Sequence, residues 1–177
     1  MADYTIKSGN IVITTKFPRE HINEFVSCAN DSSLGLNLMS HGFHYPYTEE
    51  DAMEFIDKNR EVEGESFAID FYIIYENNVA GVIGLSDIDY DNSRSHVGYW
   101  IGKDYRGKGI ATEALKAVIY FAARTLRLHS LYTSALIDNI GSIIVLTRNG
   151  FSIDGISKDC FMYDNRFYSA FMFSQLL

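Results

Sequence analysis

The sequence has few cysteines, few prolines and little positive charge. Its 177 residues include two cysteines, two prolines and one tryptophan, and 15 lysines and arginines stand against 23 acidic residues. Cys28 and Cys160 are too few for a disulfide framework and lack the spacing of metal ligands, so we expect a reduced protein without a metal. The net charge of −8 argues against a nucleic-acid partner held by a broad basic surface.

Long apolar runs are also missing, so the sequence predicts no membrane partner. The first residues, Met-Ala-Asp-Tyr-Thr, lack an apolar targeting segment, and we therefore expect a cytoplasmic protein. The chain is 47% hydrophobic and contains no internal repeat or linker. This predicts a single domain over residues 1–177. The sequence does not distinguish a monomer from a homodimer.

The hydrophobic pattern predicts the order of the elements. Strands are expected at 10–16, 67–75, 79–85, 97–101, 130–137, 151–157 and 167–173, and helices after Pro18, after Thr48, from about 110 and at 142–149. A run of antiparallel strands followed by strand–helix–strand–helix–strand is typical of an α+β protein. We therefore predict a mixed, mostly antiparallel central sheet flanked by helices.

The segment from Tyr99 to Thr112 carries the most specific pattern, Tyr-Trp-Ile-Gly-Lys-Asp-Tyr-Arg-Gly-Lys-Gly-Ile-Ala-Thr. A strand is followed by a basic, glycine-spaced turn and then by a helix. Gly107 and Gly109 let the backbone approach a ligand closely, and the first N–H groups of the helix have no partner inside it. The pattern indicates an anion site suited to a pyrophosphate.

Several phosphate-binding patterns compete for this loop. Gly102–Gly109 is close to the nucleotide-triphosphatase loop, but Gly109 stands where that loop needs a hydroxyl for Mg²⁺. The dinucleotide pattern fails because Thr112 replaces its third glycine. Arg106-x-x-Gly109-x-Ala111 instead resembles the R/Q-x-x-G-x-G/A signature of GNAT-type N-acetyltransferases. The remaining alternative is a basic turn that only joins a strand to a helix.

Two further segments resemble the same family. Asn139–Phe151 is similar to its N-x-x-S…G-F segment, and Gly42–Ala52 is similar to the "phPYT-x-x-DA" segment of the RimJ/RimL-type branch. The three matches follow the family's order and cover about residues 4–177. The resemblance implies a GNAT-like fold with splayed central strands and acetyl-CoA as cosubstrate. That branch includes enzymes that acetylate the N-termini of ribosomal proteins.

By this resemblance, the loop and the helix start hold the pyrophosphate, and the pantetheine arm lies along the strand at Trp100–Gly102 like an added strand. A free backbone N–H near Ile101 then donates to the thioester oxygen. The cofactor-binding residues so implied are Trp100, Ile101, Gly102, Arg106, Gly107, Lys108, Gly109, Ile110, Ala111, Thr112, Asn139 and Ser142.

The catalytic residues are less well marked. Many relatives carry a glutamate two residues before the Gly-Tyr-Trp of the central strand, where this chain has His96. A histidine suits a general base, which predicts activity falling below about pH 6.5, although a lone histidine on a strand is often only packed. Asp87 and Asp89 are the alternative carboxylates. Ser142 matches the serine of the RimJ/RimL-type branch and is expected to protonate the leaving thiolate, unless it only caps its helix.

The acceptor is expected to be a primary amine, either a peptide α-amine or a small-molecule amine. His44, Tyr45, Tyr47 and Tyr99 are the predicted substrate-binding residues. Neither cysteine lies within the matched motifs, so acetyl transfer is expected to be direct, without an acyl-enzyme. The missing glutamate leaves open an alternative function, a non-catalytic acyl-CoA sensor or scaffold.

Overall fold

One mixed sheet runs through the computed structural model, which describes residues 3–40, 43, 45–58 and 68–177. Its strands are β1 (Thr5–Ser8), β2 (Ile11–Thr14), β3 (Ile69–Tyr75), β4 (Asn78–Asp89), β5 (Arg94–Ile101), β6 (Ser130–Leu136), β7 (Ser152–Tyr163) and β8 (Arg166–Leu176). In space they follow the order β1-β2-β3-β4-β5-β6-β8-β7. Each neighbouring pair is antiparallel except β5 with β6, which is parallel. The predicted α+β class and mixed sheet are confirmed.

Helices cover both faces of the sheet. They are α1 (Ile22–Ala29), α2 (Leu34–Asn37), α3 (Glu49–Lys58), α4 (Ile110–Arg124) and α5 (Ile140–Arg148). Short 3₁₀ turns at Arg19–His21 and Lys103–Tyr105 precede α1 and α4. No helix in the described part of the chain is both long and apolar enough to cross a membrane.

Alternation along β3 produces two separate cores, one on each face. Phe71 faces α4, where its ring centroid lies 5.2 Å from that of Phe121. Tyr72, the next residue, faces α1 and lies 5.9 Å from Phe25. Both side chains are almost completely buried. The sheet is therefore covered by α4 on one side and by α1 and α3 on the other.

Local signals in the sequence account for several element ends. The predicted N-terminus of α3 is a capping box, in which the Asp51 N–H donates to Thr48 Oγ1 and the Thr48 N–H donates to Asp51 Oδ2. Gly150 adopts a φ of +90° where α5 ends. The short strand β1 and the single-turn helix α2 were not predicted, because neither carries enough hydrophobic periodicity to be seen.

The parallel pair β5–β6 is short. Only Arg94, Ser95 and His96 pair with β6, opposite Ser130–Tyr132. Beyond His96 the two strands separate, and β6 continues paired only with β8. The expected splay is confirmed, and the gap it opens lies directly beside the start of α4.

Leu115 tests the core beneath α4, because it is completely buried against the sheet. We expect Leu115→Ala to lower the free energy of unfolding by about 2–5 kcal/mol, measured by urea denaturation followed by circular dichroism. Tyr120→Ala is the control on the same helix, since that ring is 65% exposed, and its effect should stay within about 0.5 kcal/mol. Equal losses in the two variants would contradict this packing.

Candidate active site

A cavity of about 370 Å³ lies beside the end of β5, bordered by the loop before α4, the start of α4, α5 and the region of α2. It brings together most of the predicted cofactor-binding residues from three parts of the chain. Its lining includes Trp100 and Ile101 of β5, Arg106, Gly107 and Gly109 of the loop, Ile110, Ala111 and Thr112 of α4, and Asn139 and Ser142 at the start of α5. Residues far apart in sequence thus converge on one cleft.

The loop before α4 has the backbone conformation of an anion cradle. Gly107 and Gly109 have φ values of +76° and +77°, which an L side chain adopts only with strain. A Cβ added at either glycine would meet no heavy atom within 4 Å, so the space above the loop is open. The first bond of α4 runs from the Glu113 N–H to the Gly109 carbonyl, which leaves the N–H groups of 110–112 without intrahelical partners. A phosphate group fits this arrangement.

Arg106 fastens this loop to the opposite wall. Its guanidinium donates to Asp31 Oδ2 at 2.7 Å, and its Nε donates to the Ile101 carbonyl at 3.0 Å. Partial burial opposes ionisation of Asp31, but hydrogen bonds from Ser33 and the Arg106 charge outweigh it and lower the pKa of Asp31. Sequence reasoning missed Asp31, which lies in a polar loop 75 residues before its partner.

Two predicted cofactor-binding residues, Lys108 and Gly102, do not line the cavity. Lys108 Nζ lies over the ring of Tyr105, 5.4 Å from its centroid, in a cation–π contact. At Gly102, an added Cβ would lie 2.8 Å from the Sγ of Cys28, so this glycine permits α1 to pack against the end of β5. Both residues thus contact other parts of the protein rather than the cavity. Their direct contact with a ligand stays a prediction.

One edge of β5 is open toward the cavity. The Gly102 N–H donates to the Ala80 carbonyl, on the β4 side. Successive backbone N–H groups of an extended chain point to opposite sides, so the N–H of Ile101 points into the gap. The strand therefore offers a row of main-chain groups to an extended ligand.

The start of α5 closes the far side of the cleft. Asn139 is the N-cap, and its Oδ1 accepts from the Ser142 N–H at 3.2 Å. The alternative in which the Ser142 side chain caps this helix is therefore wrong, and the Ser142 side chain instead lies within hydrogen-bonding reach of the Tyr99 hydroxyl. The Tyr99 hydroxyl donates to the Ser142 carbonyl at 3.3 Å, and burial raises the pKa of Tyr99 to about 12.

A second cavity, of about 550 Å³, adjoins the first and shares Leu38, Tyr99 and Trp100 with it. Tyr47, a predicted substrate-binding residue, lines it and stacks on Phe43, with ring centroids 5.1 Å apart. Its described lining also carries the acidic residues Asp51, Glu54 and Asp70, none of which sequence reasoning selected, and neither lysine nor arginine.

Of the other predicted substrate-binding residues, Tyr45 is 62% exposed and does not line this cavity. His44 lies outside the described residues. Tyr99 stands where the two cavities meet.

His96 lies in the second cavity with its Nδ1 3.1 Å from Ser86 Oγ. Burial lowers the pKa of His96 below 6.5, and the charge of Asp87 opposes this shift without reversing it. The imidazole is therefore neutral at pH 7 and able to accept a proton. Asp87 and Asp89 line neither cavity. Across the described part of the chain, no three His, Cys, Asp or Glu side chains gather into a metal-binding group.

Comparison with known proteins identifies the family of the chain. A profile described as "Acetyltransferase (GNAT) domain" matches residues 14–152. The chain therefore belongs to the GNAT acetyltransferase family and is an acyltransferase by class.

Individual relatives agree with this assignment. The chain is 27% identical to the ribosomal-protein-serine acetyltransferase of Escherichia coli over 73% of each protein. It is also 27% identical to the spermidine N(1)-acetyltransferase of E. coli, over 56% of this chain and 54% of that protein. The fold matches the structure of RimL, a ribosomal L7/L12 alpha-N-protein acetyltransferase in complex with coenzyme A, with a TM-score of 0.85 at 20% identity over 98% of both chains.

Gly109→Ala tests the cradle, because the added methyl group would strain a residue with positive φ and stand in the open space above the loop. We expect coenzyme A affinity to fall about tenfold or more by isothermal titration calorimetry, equivalent to about 1.4 kcal/mol. Gly150→Ala is the matched control, since Gly150 also has positive φ but does not line the cavity. It should lose thermal stability and keep its affinity; a comparable loss of affinity in both variants would refute the assignment.

Proposed function

We propose that this protein transfers an acetyl group from acetyl-CoA directly to a primary amine, without an acyl-enzyme intermediate. The observation that carries the proposal is the meeting of two cavities at Tyr99 and Trp100. One cavity has a phosphate-sized cradle and an open strand edge, and the other has a neutral histidine and an acidic lining. A thioester and an amine brought to this junction would be held in contact.

The first cavity is suited to the coenzyme. The N–H groups of 110–112 would hold the diphosphate, and the open edge of β5 would hold the pantetheine arm by main-chain hydrogen bonds. The inward-facing N–H of Ile101 would donate to the thioester oxygen, where negative charge develops during attack. One such donor is typically worth about 3 kcal/mol of transition-state stabilisation.

His96 is proposed as the general base. An alkyl amine arrives mostly as an ammonium ion, and it must lose a proton before its nitrogen can attack the carbonyl carbon. Ser86 Oγ is within hydrogen-bond distance of Nδ1, which fixes the imidazole ring. Nε2 would then take the proton from the ammonium ion, directly or through a water molecule.

Ser142 is proposed as the proton donor to the leaving thiolate. Ser142 lines the first cavity, and its N–H and carbonyl are hydrogen-bonded to Asn139 and Tyr99. The C–S bond breaks as the C–N bond forms, and the thiolate leaves as a thiol. The ammonium ion loses two protons in forming the amide. One goes to His96, and the second replaces the proton that Ser142 gives to the thiolate, so that Ser142 is left as a hydroxyl.

The acceptor is either a peptide α-amine or a small-molecule amine. A ribosomal protein and spermidine, named for two of the relatives, represent these two sources. A screen for thiol release from acetyl-CoA against small amines and N-terminal peptides would distinguish them. Tight coenzyme A binding without thiol release on any acceptor would favour the alternative, a non-catalytic acyl-CoA sensor, and absence of coenzyme A binding would overturn both.

The pH dependence of kcat tests His96. At saturating acceptor we expect kcat to fall on acidification, as the imidazole is protonated, with a midpoint below pH 6.5 because burial lowers the pKa of His96. His96→Gln should lower kcat about 100-fold or more and remove this acidic limb. Measurement uses thiol release from acetyl-CoA between pH 5 and 8.5.

Asp87→Asn is the control for this profile. The negative charge of Asp87 raises the pKa of His96, so its removal should move the acidic limb to still lower pH. The rate near pH 8 should be unchanged, because His96 is neutral there in both proteins. An acidic limb that persists in His96→Gln would show that another group supplies the base.

A further inference from the structure

Asp70 is a carboxylate in the wall of the second cavity to which the proposed mechanism gives no role. It lies on β3 and pairs with Gly84 of β4, which in turn pairs with Gly98 of β5. A Cβ added at Gly84 would overlap Asp70 Oδ1, so the carboxylate lies across this glycine, directed toward β5. Across β3, β4 and β5, the row Asp70–Gly84–Gly98 thus carries one side chain, that of Asp70, followed by two glycines that have none.

The proposed base lies one step along the same face of the sheet. Ser86 and His96 are two residues from Gly84 and Gly98 and pair with each other, so their side chains point to the same side. A Cβ added at Gly98 would lie 3.5 Å from His96 Cε1, which places the edge of the ring next to these glycines. The two glycines therefore leave space for a small group between Asp70 and His96.

The Asp70 carboxylate has no partner within the described residues. No hydrogen bond or ion pair reaches it, and burial alone raises its pKa to about 6. Asp70 is half-buried and faces the cavity, and a cation beside a poorly solvated carboxylate stabilises its charged form. The described lining of the cavity contains no lysine or arginine, so a positively charged ligand is suited to this position.

We propose that Asp70 binds the ammonium group of the acceptor across Gly84, and that the site therefore selects amines that arrive positively charged. The inference rests on the proposed function and names the acceptor's chemical class, an alkylammonium ion flanked by apolar atoms. The aromatic lining, which includes Phe25, Phe43 and Phe55, matches the apolar part of such a molecule. Asp70 keeps its charge throughout; the proton leaves to His96.

The first experiment compares two probes of nearly equal shape, benzylammonium and benzyl alcohol. Binding to the protein saturated with coenzyme A is measured at pH 7.5 by NMR titration. We expect the wild-type protein to bind benzylammonium at least tenfold more tightly. Asp70→Asn should abolish this preference while leaving the affinity for benzyl alcohol within about threefold.

Asp57→Asn is the matched control, because it removes the same charge from an exposed position on α3 that does not line the cavity. It should keep the preference for benzylammonium. Equal affinity of the wild-type protein for the two probes would overturn the proposal without any variant, as would a preference retained in Asp70→Asn. Thermal unfolding of each variant checks that it folds.

Calorimetry with coenzyme A on the same samples separates this inference from the proposed function. If coenzyme A does not bind, the proposed function fails; if it binds and no ammonium preference is seen, only the role of Asp70 fails. With any acceptor that is turned over, Asp70→Asn should raise KM at least tenfold and change kcat less than threefold. A fall in kcat at unchanged KM would instead make Asp70 a proton acceptor and overturn the anchoring role.

Discussion

The early end of the β5–β6 ladder is the constraint on which this molecule depends. A parallel pair that continued past His96 would satisfy the backbone of β5 and leave no opening in the sheet. Because pairing stops there, main-chain groups of β5 remain available beside the uncapped first turn of α4. Both cavities meet on this strand at Tyr99 and Trp100, beyond the point where the ladder ends.

The second cavity depends on two missing side chains on the face of the sheet that α1 and α3 cover. Gly84 and Gly98 remove two side chains from the middle of an otherwise filled surface. On one side of this gap Tyr72, Val82 and Trp100 form an apolar wall, and on the other Ser86 and His96 supply polar atoms. The shape and charge of the cavity therefore suit a positively charged ligand with an apolar part, and its acidic lining agrees with the acidic character of the whole chain.

Much of this was predictable from sequence because local rules decide it. The loop at Gly107–Gly109 and the helix after it follow from glycine conformation and helix periodicity, and the capping box at Thr48 from residue spacing alone. The partner of Arg106 was not predictable, because Asp31 lies 75 residues away and only packing brings the two together. The cap at Asn139 and the contact of Lys108 with Tyr105 are local, each spanning three residues, but the resemblance directed attention to a ligand at both positions. Asp70 did leave a signal, a single carboxylate inside the apolar run Ile69–Tyr75, where charge is rarely placed without a purpose.

The ion pair between Arg106 and Asp31 has a consequence for how the two halves of the site communicate. Asp31 lies just before α2, and Leu34 and Leu38 of that region line the first cavity, with Leu38 also lining the second. The loop before α4 is thus connected to a segment that borders both cavities by a partly solvated ion pair. Ionic strength weakens such pairs, so under the proposed function salt would weaken the binding of both reactants at once.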